Sequence, residues 1–166
     1  GNKRMRACNL VQMTKSKTSP REGDVFVLQP KEGIYYFGKV IKVNLKSKDS
    51  FINGMSLIYI YECFSDNKSL PAGELDEKEF LIAPIIVNNQ PWIKGYFETI
   101  CNLEVTENEK KKEVIFWDVL KEEFVDINGN VANKKTQLFS IYGLGSYGIV
   151  GKEVQEAIKH NKFFNE

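Results

Sequence analysis

The chain has 166 residues, of which 42% are hydrophobic, 12% aromatic and only five proline. This length and composition exclude a disordered polypeptide; they suit one folded domain comfortably and two only with difficulty. The net charge of +1 conceals a strong asymmetry, because residues 1–50 carry a net +7, residues 51–130 a net −8 and residues 131–166 a net +2.

The predicted elements begin after a polar segment. Residues 1–19 are basic and lack periodicity, so we expect a flexible basic arm ahead of a single domain formed by residues 20–166. Strands rich in Val, Ile, Tyr and Phe are predicted for Asp24–Gln29 and Ile34–Val43, which should pair as a hairpin. Both alternating faces of Met55–Cys63 are apolar, which favours a central strand.

The middle of the chain alternates between charged links and further strands. The acidic run Glu74–Glu79 is predicted to form at most one helical turn, and the charged segment Glu104–Glu113 is expected to be an exposed loop. A tight turn is expected at residues 88–91 and another at residues 128–130. The strands predicted in this part are Leu81–Val87, Gly95–Ile100, Val114–Leu120 and Glu122–Ile127.

Only the tail has a helical pattern. Apolar residues recur there at the spacing of one helix face, at Val150, Val154, Ala157 and Ile158, and polar residues fill the other side. The sequence therefore predicts a β-rich α+β domain: a strongly bent antiparallel sheet or a partly open SH3-like barrel, with a C-terminal helix packed on it.

A glycine pattern precedes that helix. Gly143, Gly145 and Gly148 fit the Gly-x-Gly-x-x-Gly spacing that opens a dinucleotide site after a strand. Such a site also needs a second strand of a parallel sheet, one that carries an acidic ribose contact about 20 residues further on. This sequence offers none, so the glycines are interpreted as a flexible strand-to-helix turn.

Residues that carry chemistry are scarce. His160 is the only histidine and is expected near a helix end, while Cys8, Cys63 and Cys101 are an odd number at wide spacings. No serine lies in a Gly-x-Ser-x-Gly elbow. We therefore expect no catalytic residue, no metal, no cofactor and no small-molecule substrate.

The residue composition also bears on the cellular compartment and on whether nucleic acid is a partner. Free thiols fit a reducing compartment, and no apolar run reaches the length of a signal peptide or the roughly 18 residues of a membrane span. A cytoplasmic location without membrane association is expected. Arginine occurs only at Arg4, Arg6 and Arg21, and an acidic middle repels a phosphate backbone, so nucleic acid is disfavoured as a partner. Lysines near the aromatic residues 35–37 leave that possibility open.

Several segments resemble one known family. Pro20–Leu28 followed by Tyr36–Val40 resembles the opening hairpin of the immunity protein 26 family, although Lys39 stands where an arginine is common. Ile60–Phe64 is similar to the third strand of that family, and Pro91–Asn102 to its tryptophan-containing segment. The resemblance implies a non-catalytic protein that binds and neutralises a cognate secreted bacterial toxin domain. The shared aromatics, Trp92 among them, are expected in the core.

The acidic middle is the predicted toxin-binding surface, since exposed carboxylates accelerate encounter with a basic partner. The best local candidates are Asp66, Glu74, Asp76, Glu77 and Glu79. A solvated loop that only aids solubility is the alternative. A further alternative is a basic face built from Lys31, Lys39, Lys42, Lys46 and Lys48.

Two other functions remain open. The opening strand also resembles, more faintly, the small barrel of MazF-type ribonucleases, but the scarcity of arginine and the acidic middle disfavour that enzyme. A β-rich adaptor domain could instead recognise a protein through an exposed edge strand. Ribonuclease activity would favour the first of these, whereas a gene neighbour encoding a long secreted protein would favour immunity.

Overall fold

A computed structural model of the chain describes residues 9–162, with side chains up to residue 160. Five strands form the main sheet: β1 (Asp24–Lys31), β2 (Ile34–Lys42), β3 (Ser56–Ser65), β4 (Ile85–Val87) and β5 (Phe97–Asn102). All neighbours in this sheet are antiparallel, in the order β4-β3-β2-β1-β5, and the sheet is open rather than closed. This confirms the predicted hairpin and the central position of the third strand.

A second, smaller sheet covers part of the first. It contains β6 (Phe116–Asp118), β7 (Glu123–Val125) and β8 (Ser140–Ile141) in the order β7-β6-β8. The helical elements are a 3₁₀ turn (Leu75–Glu77), α1 (Gln90–Ile93), α2 (Glu107–Lys110) and α3 (Tyr147–Lys162). The structure confirms an α+β, strand-rich domain with a C-terminal helix. Within the described residues, no helix is both long and apolar enough to cross a membrane.

The main sheet is buried on both faces because its strands alternate between two cores. In β3, Ile58 and Ile60 face a core that also contains Trp92 and the α3 residues Val150 and Val154. The neighbouring β3 residues Tyr59 and Tyr61 point the other way, into a core shared with the second sheet. That core also contains Phe116, Val125 and Tyr142. Because side chains alternate strictly between the two faces, the main sheet packs against α3 on one face and against the second sheet on the other.

Gly38 is fixed by close packing across the hairpin. A Cβ atom at this position would lie 2.8 Å from the Tyr59 carbonyl oxygen and would collide with the Phe26 ring. That ring also stacks on Phe97 and meets Trp92 edge-on, with centroid distances of 4.5 and 5.4 Å. Trp92 is almost fully buried, as predicted, and its Nε1 donates to Thr99 Oγ1 over 3.1 Å.

The later strands differ from the sequence prediction. Of Leu81–Val87 only Ile85–Val87 is strand, because the preceding residues turn away after a single bridge between Phe80 and Tyr61. The turn expected at residues 88–91 overlaps the short helix α1. The strands predicted between residues 114 and 127 shrink to three residues each and leave the main sheet, and β8 pairs with β6 in parallel. The predicted antiparallel sheet is therefore the five-stranded main sheet, and the second sheet, with its parallel pair, was not predicted.

The described part of the N-terminal segment contacts the domain. Leu10 is buried in the core beneath α3, and the backbone N–H groups of Val11 and Met13 donate to the carbonyl oxygens of Gln29 and Gly95 over 2.7 Å. Residues 1–8, the first half of the predicted arm, lie outside the described residues. The division into an arm of residues 1–19 and a domain of residues 20–166 remains a prediction.

Candidate functional site

The predicted acidic segment lies in the connection from β3 to β4. Leu75 points into the core and fixes the 3₁₀ turn, so that Glu74, Glu77 and Glu79 project into solvent. Among the described residues, no lysine or arginine nitrogen lies within 4.0 Å of these three carboxylates. Their charges are therefore free to act on a partner.

Asp76 has a different position from its neighbours. Its Oδ2 accepts a hydrogen bond from Thr106 Oγ1 over 2.7 Å, and its carbonyl oxygen accepts one from Asn108 Nδ2 over 2.8 Å. Both partners belong to the start of α2. Asp76 thus joins the 3₁₀ turn to α2 through one carboxylate oxygen and its backbone carbonyl group.

Glu62 extends this surface and was not predicted. The Glu62 N–H donates to the Glu79 carbonyl oxygen over 2.8 Å, and the adjacent bridge pairs Tyr61 with Phe80. Glu62 and Glu79 therefore stand opposite each other on one face of the sheet. The alternation of inward-facing and outward-facing residues along β3 was the signal in the sequence that could have identified Glu62 as exposed. Asp66 lies beyond the end of β3, where its carboxylate accepts from Asn67 Nδ2 over 3.0 Å.

Glu107 of α2 adds another exposed carboxylate beside Asn108, in an ion pair of 3.4 Å with Lys110. We define the acidic surface by the exposed glutamates of β3, of the β3–β4 connection and of α2. Its members are Glu62, Glu74, Glu77, Glu79 and Glu107.

A buried ion pair lies beneath this surface. Lys39 Nζ is 2.8 Å from Glu109 Oε1, and the two side chains are 4% and 0% exposed. Lys39 Nζ also donates to the Glu104 carbonyl oxygen over 2.8 Å. Glu109 closes a capping box with Thr106: Thr106 N–H donates to Glu109 Oε1 over 3.0 Å, and Glu109 N–H donates to Thr106 Oγ1 over 3.1 Å. A four-residue helix is thereby fixed to the centre of the sheet.

Two tyrosines complete the partners of Glu109. Tyr61 Oη donates to Glu109 Oε2 over 2.6 Å, and Tyr59 Oη donates to the Glu109 carbonyl oxygen over 3.0 Å. Burial, and then the Glu109 carboxylate, raise the pKa of both phenols well above the usual value, so both stay protonated donors. Among the described residues, no buried side-chain polar atom lacks a partner. This network positions α2 and, through Asp76, the 3₁₀ turn that carries the acidic surface.

The buried pair corrects two expectations. Glu104–Glu113 is not simply an exposed loop, because it contains α2 and the fully buried Glu109. Lys39 cannot belong to the alternative basic face, since it is buried, whereas Lys31, Lys42, Lys46 and Lys48 are exposed. Thr106 followed three residues later by Glu109 is a capping-box signature, and it was the signal in the sequence that could have located the helix.

The remaining candidate sites are the glycine pattern, the single histidine and potential metal ligands. Gly145 lies where a Cβ atom would be 2.5 Å from Ile85 Cδ1, and its N–H donates to the Ile86 carbonyl oxygen over 2.7 Å. Gly145 therefore lets the turn before α3 pack against β4, whereas a Cβ atom at Gly143 would meet nothing within 4 Å. His160 is exposed near the end of α3. No group of three or more potential metal ligands comes together within the part of the chain described.

The opening motif is also structural. Asp24 accepts hydrogen bonds from Arg21 N–H through Oδ2 and from Asn102 Nδ2 through Oδ1, both over 2.9 Å. The bond from Asn102 ties the start of β1 to the end of β5, and the bond from Arg21 fixes the turn before β1. The motif residues thus hold the sheet together rather than forming a reactive site.

One comparison with known proteins gives a match. The sequence model of a family described as immunity protein 26 matches residues 21–124, which is more than half of the chain. The matched span runs from the start of β1 into β7 and includes Lys39, Glu109 and the whole acidic surface. No curated protein and no solved structure matches the chain.

Proposed function

We propose, since this chain belongs to the immunity protein 26 family, that it is a non-catalytic inhibitor that binds a cognate secreted bacterial toxin domain in the cytoplasm and neutralises it. The family match over residues 21–124 is the observation that carries the proposal, because it spans both the main sheet and the elements that display the acidic surface. Inhibition by binding needs a stable, complementary surface and no reactive group of its own.

The acidic surface is the proposed contact with the toxin domain. Glu74, Glu77 and Glu79 are exposed and free of ion pairs within the described residues, so a basic cleft on the partner can pair with them. The half-buried hydrogen bond of Asp76 and the buried ion pair of Glu109 hold the backbone beneath them, which lowers the entropic cost of binding. Opposite charges across an interface also accelerate encounter.

Association kinetics with the toxin domain encoded beside this chain test the proposed contact. In Glu74→Gln/Glu77→Gln/Glu79→Gln, the association rate should fall at least about tenfold at low salt. The difference should vanish near 1 M salt, where the screening length is about 3 Å. Asp76 stays unchanged in this variant because its carboxylate supports α2.

A matched control removes three exposed carboxylates elsewhere: Glu32→Gln/Glu153→Gln/Glu156→Gln. It changes the net charge by the same amount, so it should leave the association rate within about twofold of the parent if location matters. Equal rates for the two triple variants at every ionic strength would exclude the acidic surface as the contact.

A further inference from the structure

An exposed aromatic side chain lies beside the acidic surface near the end of β3. Phe64 is 58% exposed, and its ring packs on that of Tyr36, its antiparallel partner in β2, at a centroid distance of 5.4 Å. Tyr36 itself is buried in the core beneath α3. The Phe64 ring is therefore supported by the core while more than half of the residue faces solvent.

Carboxylates lie on both sides of Phe64 along the chain. Glu62 is exposed two residues earlier in β3, so its side chain leaves the same face of the sheet roughly 7 Å away. Asp66 is exposed one residue beyond the end of β3. Burial, and then the charge of Glu62, raise the pKa of Tyr36, so the Glu62 carboxylate acts on the phenol whose ring supports Phe64. We call Tyr36, Glu62, Phe64 and Asp66 the Phe64 site.

The charge around the Phe64 site is negative. Residues 62–79 contain six carboxylates and two lysines, Lys68 and Lys78. Lys68 Nζ is paired with a carboxylate of β5 at 3.0 Å and lies 5.9 Å from the centroid of the Tyr35 ring, which packs against the core on the opposite face of the sheet. Cys63 belongs to that same core, and the charge of Lys78 opposes the rise in its pKa that burial causes. Both lysines therefore lie toward the opposite face, and carboxylates dominate the charge beside Phe64.

An exposed ring flanked by carboxylates has the chemistry of a cation-binding site. The negative face of the π system attracts a cation, and the carboxylates add charged hydrogen bonds. The guanidinium group of arginine uses both, because it is planar, stacks on rings and pairs with a carboxylate through two N–H groups, whereas lysine offers a point charge. Among the residues whose side chains are described, each cation–π contact of a lysine involves a ring other than Phe64. The Phe64 site thus fits an arginine side chain of a partner.

Two other occupants fit the Phe64 site less well. A two-fold contact with a second copy uses the same patch on both copies, so its carboxylates would face one another. A nucleic acid would bring phosphates against the same carboxylates. A basic protein surface is the occupant that the charge favours. The site is also continuous with the proposed toxin contact, because Glu62 belongs to both.

We propose that Phe64 receives an arginine side chain of the toxin domain, which stacks on the ring and pairs with the flanking carboxylates of Glu62 and Asp66. This inference rests on the proposed function and names the chemical group that the acidic surface recognises. Arginine is among the residues that dominate binding energy at interfaces, and such residues tend to pair across them. Phe64 therefore prolongs the lifetime of the complex, whereas the carboxylates of the acidic surface accelerate its formation.

Calorimetry with the toxin domain encoded beside this chain compares Phe64→Leu with Phe64→Tyr. Leucine keeps an apolar side chain but has no π system, whereas tyrosine keeps the ring. The dissociation constant should rise at least about tenfold in Phe64→Leu and stay within about threefold of the parent in Phe64→Tyr. The matched control is Phe51→Leu, the same change at a residue that is 73% exposed ahead of β3, and it should also stay within about threefold. Urea midpoints should be nearly equal for all three variants, because both phenylalanines are exposed.

Substitutions in the toxin domain identify the partner side chain. Its arginines are replaced by lysine one at a time, which keeps the charge but removes the planar group. One of these changes should weaken binding to the parent chain and have little further effect on Phe64→Leu, because both substitutions remove the same contact. The absence of any such arginine would overturn the proposal.

The variants of this chain separate the other outcomes. Equal dissociation constants for the parent and Phe64→Leu would overturn the arginine contact and leave the proposed function intact. Equal losses in Phe64→Leu and Phe64→Tyr, or in Phe64→Leu and Phe51→Leu, would overturn it as well. Absence of binding by the parent would overturn the proposed function and this contact with it. Sedimentation of the parent without toxin should show a monomer, and a dimer that Phe64→Leu abolishes would make a second copy the occupant and overturn the proposal.

Discussion

Replacing Glu109 by glutamine perturbs the centre of the buried network. Glu109→Gln keeps the side-chain shape but removes the charge that faces Lys39 Nζ at 2.8 Å, leaving a buried ammonium group with uncharged acceptors such as the Glu104 carbonyl oxygen. Removing one partner of a buried ion pair costs about 3–5 kcal/mol. We expect a loss of this size in the free energy of unfolding, a large fraction of the roughly 5–15 kcal/mol typical of a domain.

Urea unfolding of a double-mutant cycle measures the interaction itself. Lys39→Met, Glu109→Gln and the double variant complete the cycle. The double variant leaves no uncompensated charge in the core, so it should cost at least about 1 kcal/mol less than the sum of the single variants. The exposed pair of Lys110 and Glu107, at 3.4 Å, is the control. Its coupling energy should stay below about 0.5 kcal/mol.

The network would be refuted if the effects of Lys39→Met and Glu109→Gln on the free energy of unfolding were additive. A loss of less than about 1 kcal/mol for Glu109→Gln alone would also refute it. A folded Glu109→Gln variant should also associate more slowly with the toxin domain, because α2, which is bonded to the 3₁₀ turn through Asp76, loses its ion pair with the main sheet.

Three further predictions concern stability. Trp92→Ala should cost about 3–5 kcal/mol in urea unfolding, because the ring packs edge-on against the stacked rings of Phe26 and Phe97; loss of toxin binding without loss of stability would instead make Trp92 an interface residue. Gly38→Ala should cost at least about 1–3 kcal/mol because of the Tyr59 carbonyl oxygen at 2.8 Å, and a neutral effect would argue against the close packing. The pKa of Tyr61 is raised in the folded chain, so the unfolded chain loses the phenol proton at a lower pH. Below about pH 10, where unfolded tyrosine is protonated, this difference costs no stability. Above that value the free energy of unfolding falls by about 1.4 kcal/mol per pH unit. Unfolding between about pH 10 and 11 should therefore depend less steeply on pH in Tyr61→Phe than in the parent, and equal slopes would contradict the buried phenol.

Local patterns in the sequence were sufficient to predict much of the fold. The hairpin β1–β2, the central strand β3 and the helix α3 each follow from apolar periodicity within one segment. The burial of Trp92 was predicted from its position between a turn proline and an apolar strand. These elements depend on short-range signals, which a single sequence contains.

Long-range pairing could not be predicted. The ion pair of Lys39 and Glu109 joins residues 70 positions apart, and charged residues are ordinarily interpreted as solvated. The same limit applies to Asp76, whose partner Thr106 is 30 positions away. The sequence located the acidic segment, but it could not distinguish the free carboxylates of Glu74, Glu77 and Glu79 from one that supports α2.

Co-expression of this chain with the toxin domain encoded beside it tests the proposed immunity function most directly. Bacterial growth is measured with the toxin domain alone and together with the parent chain, and the complex is then isolated by size-exclusion chromatography with light scattering. The proposed function predicts restored growth and recovery of an equimolar complex. Unabated toxicity, with the two proteins eluting separately, would contradict it.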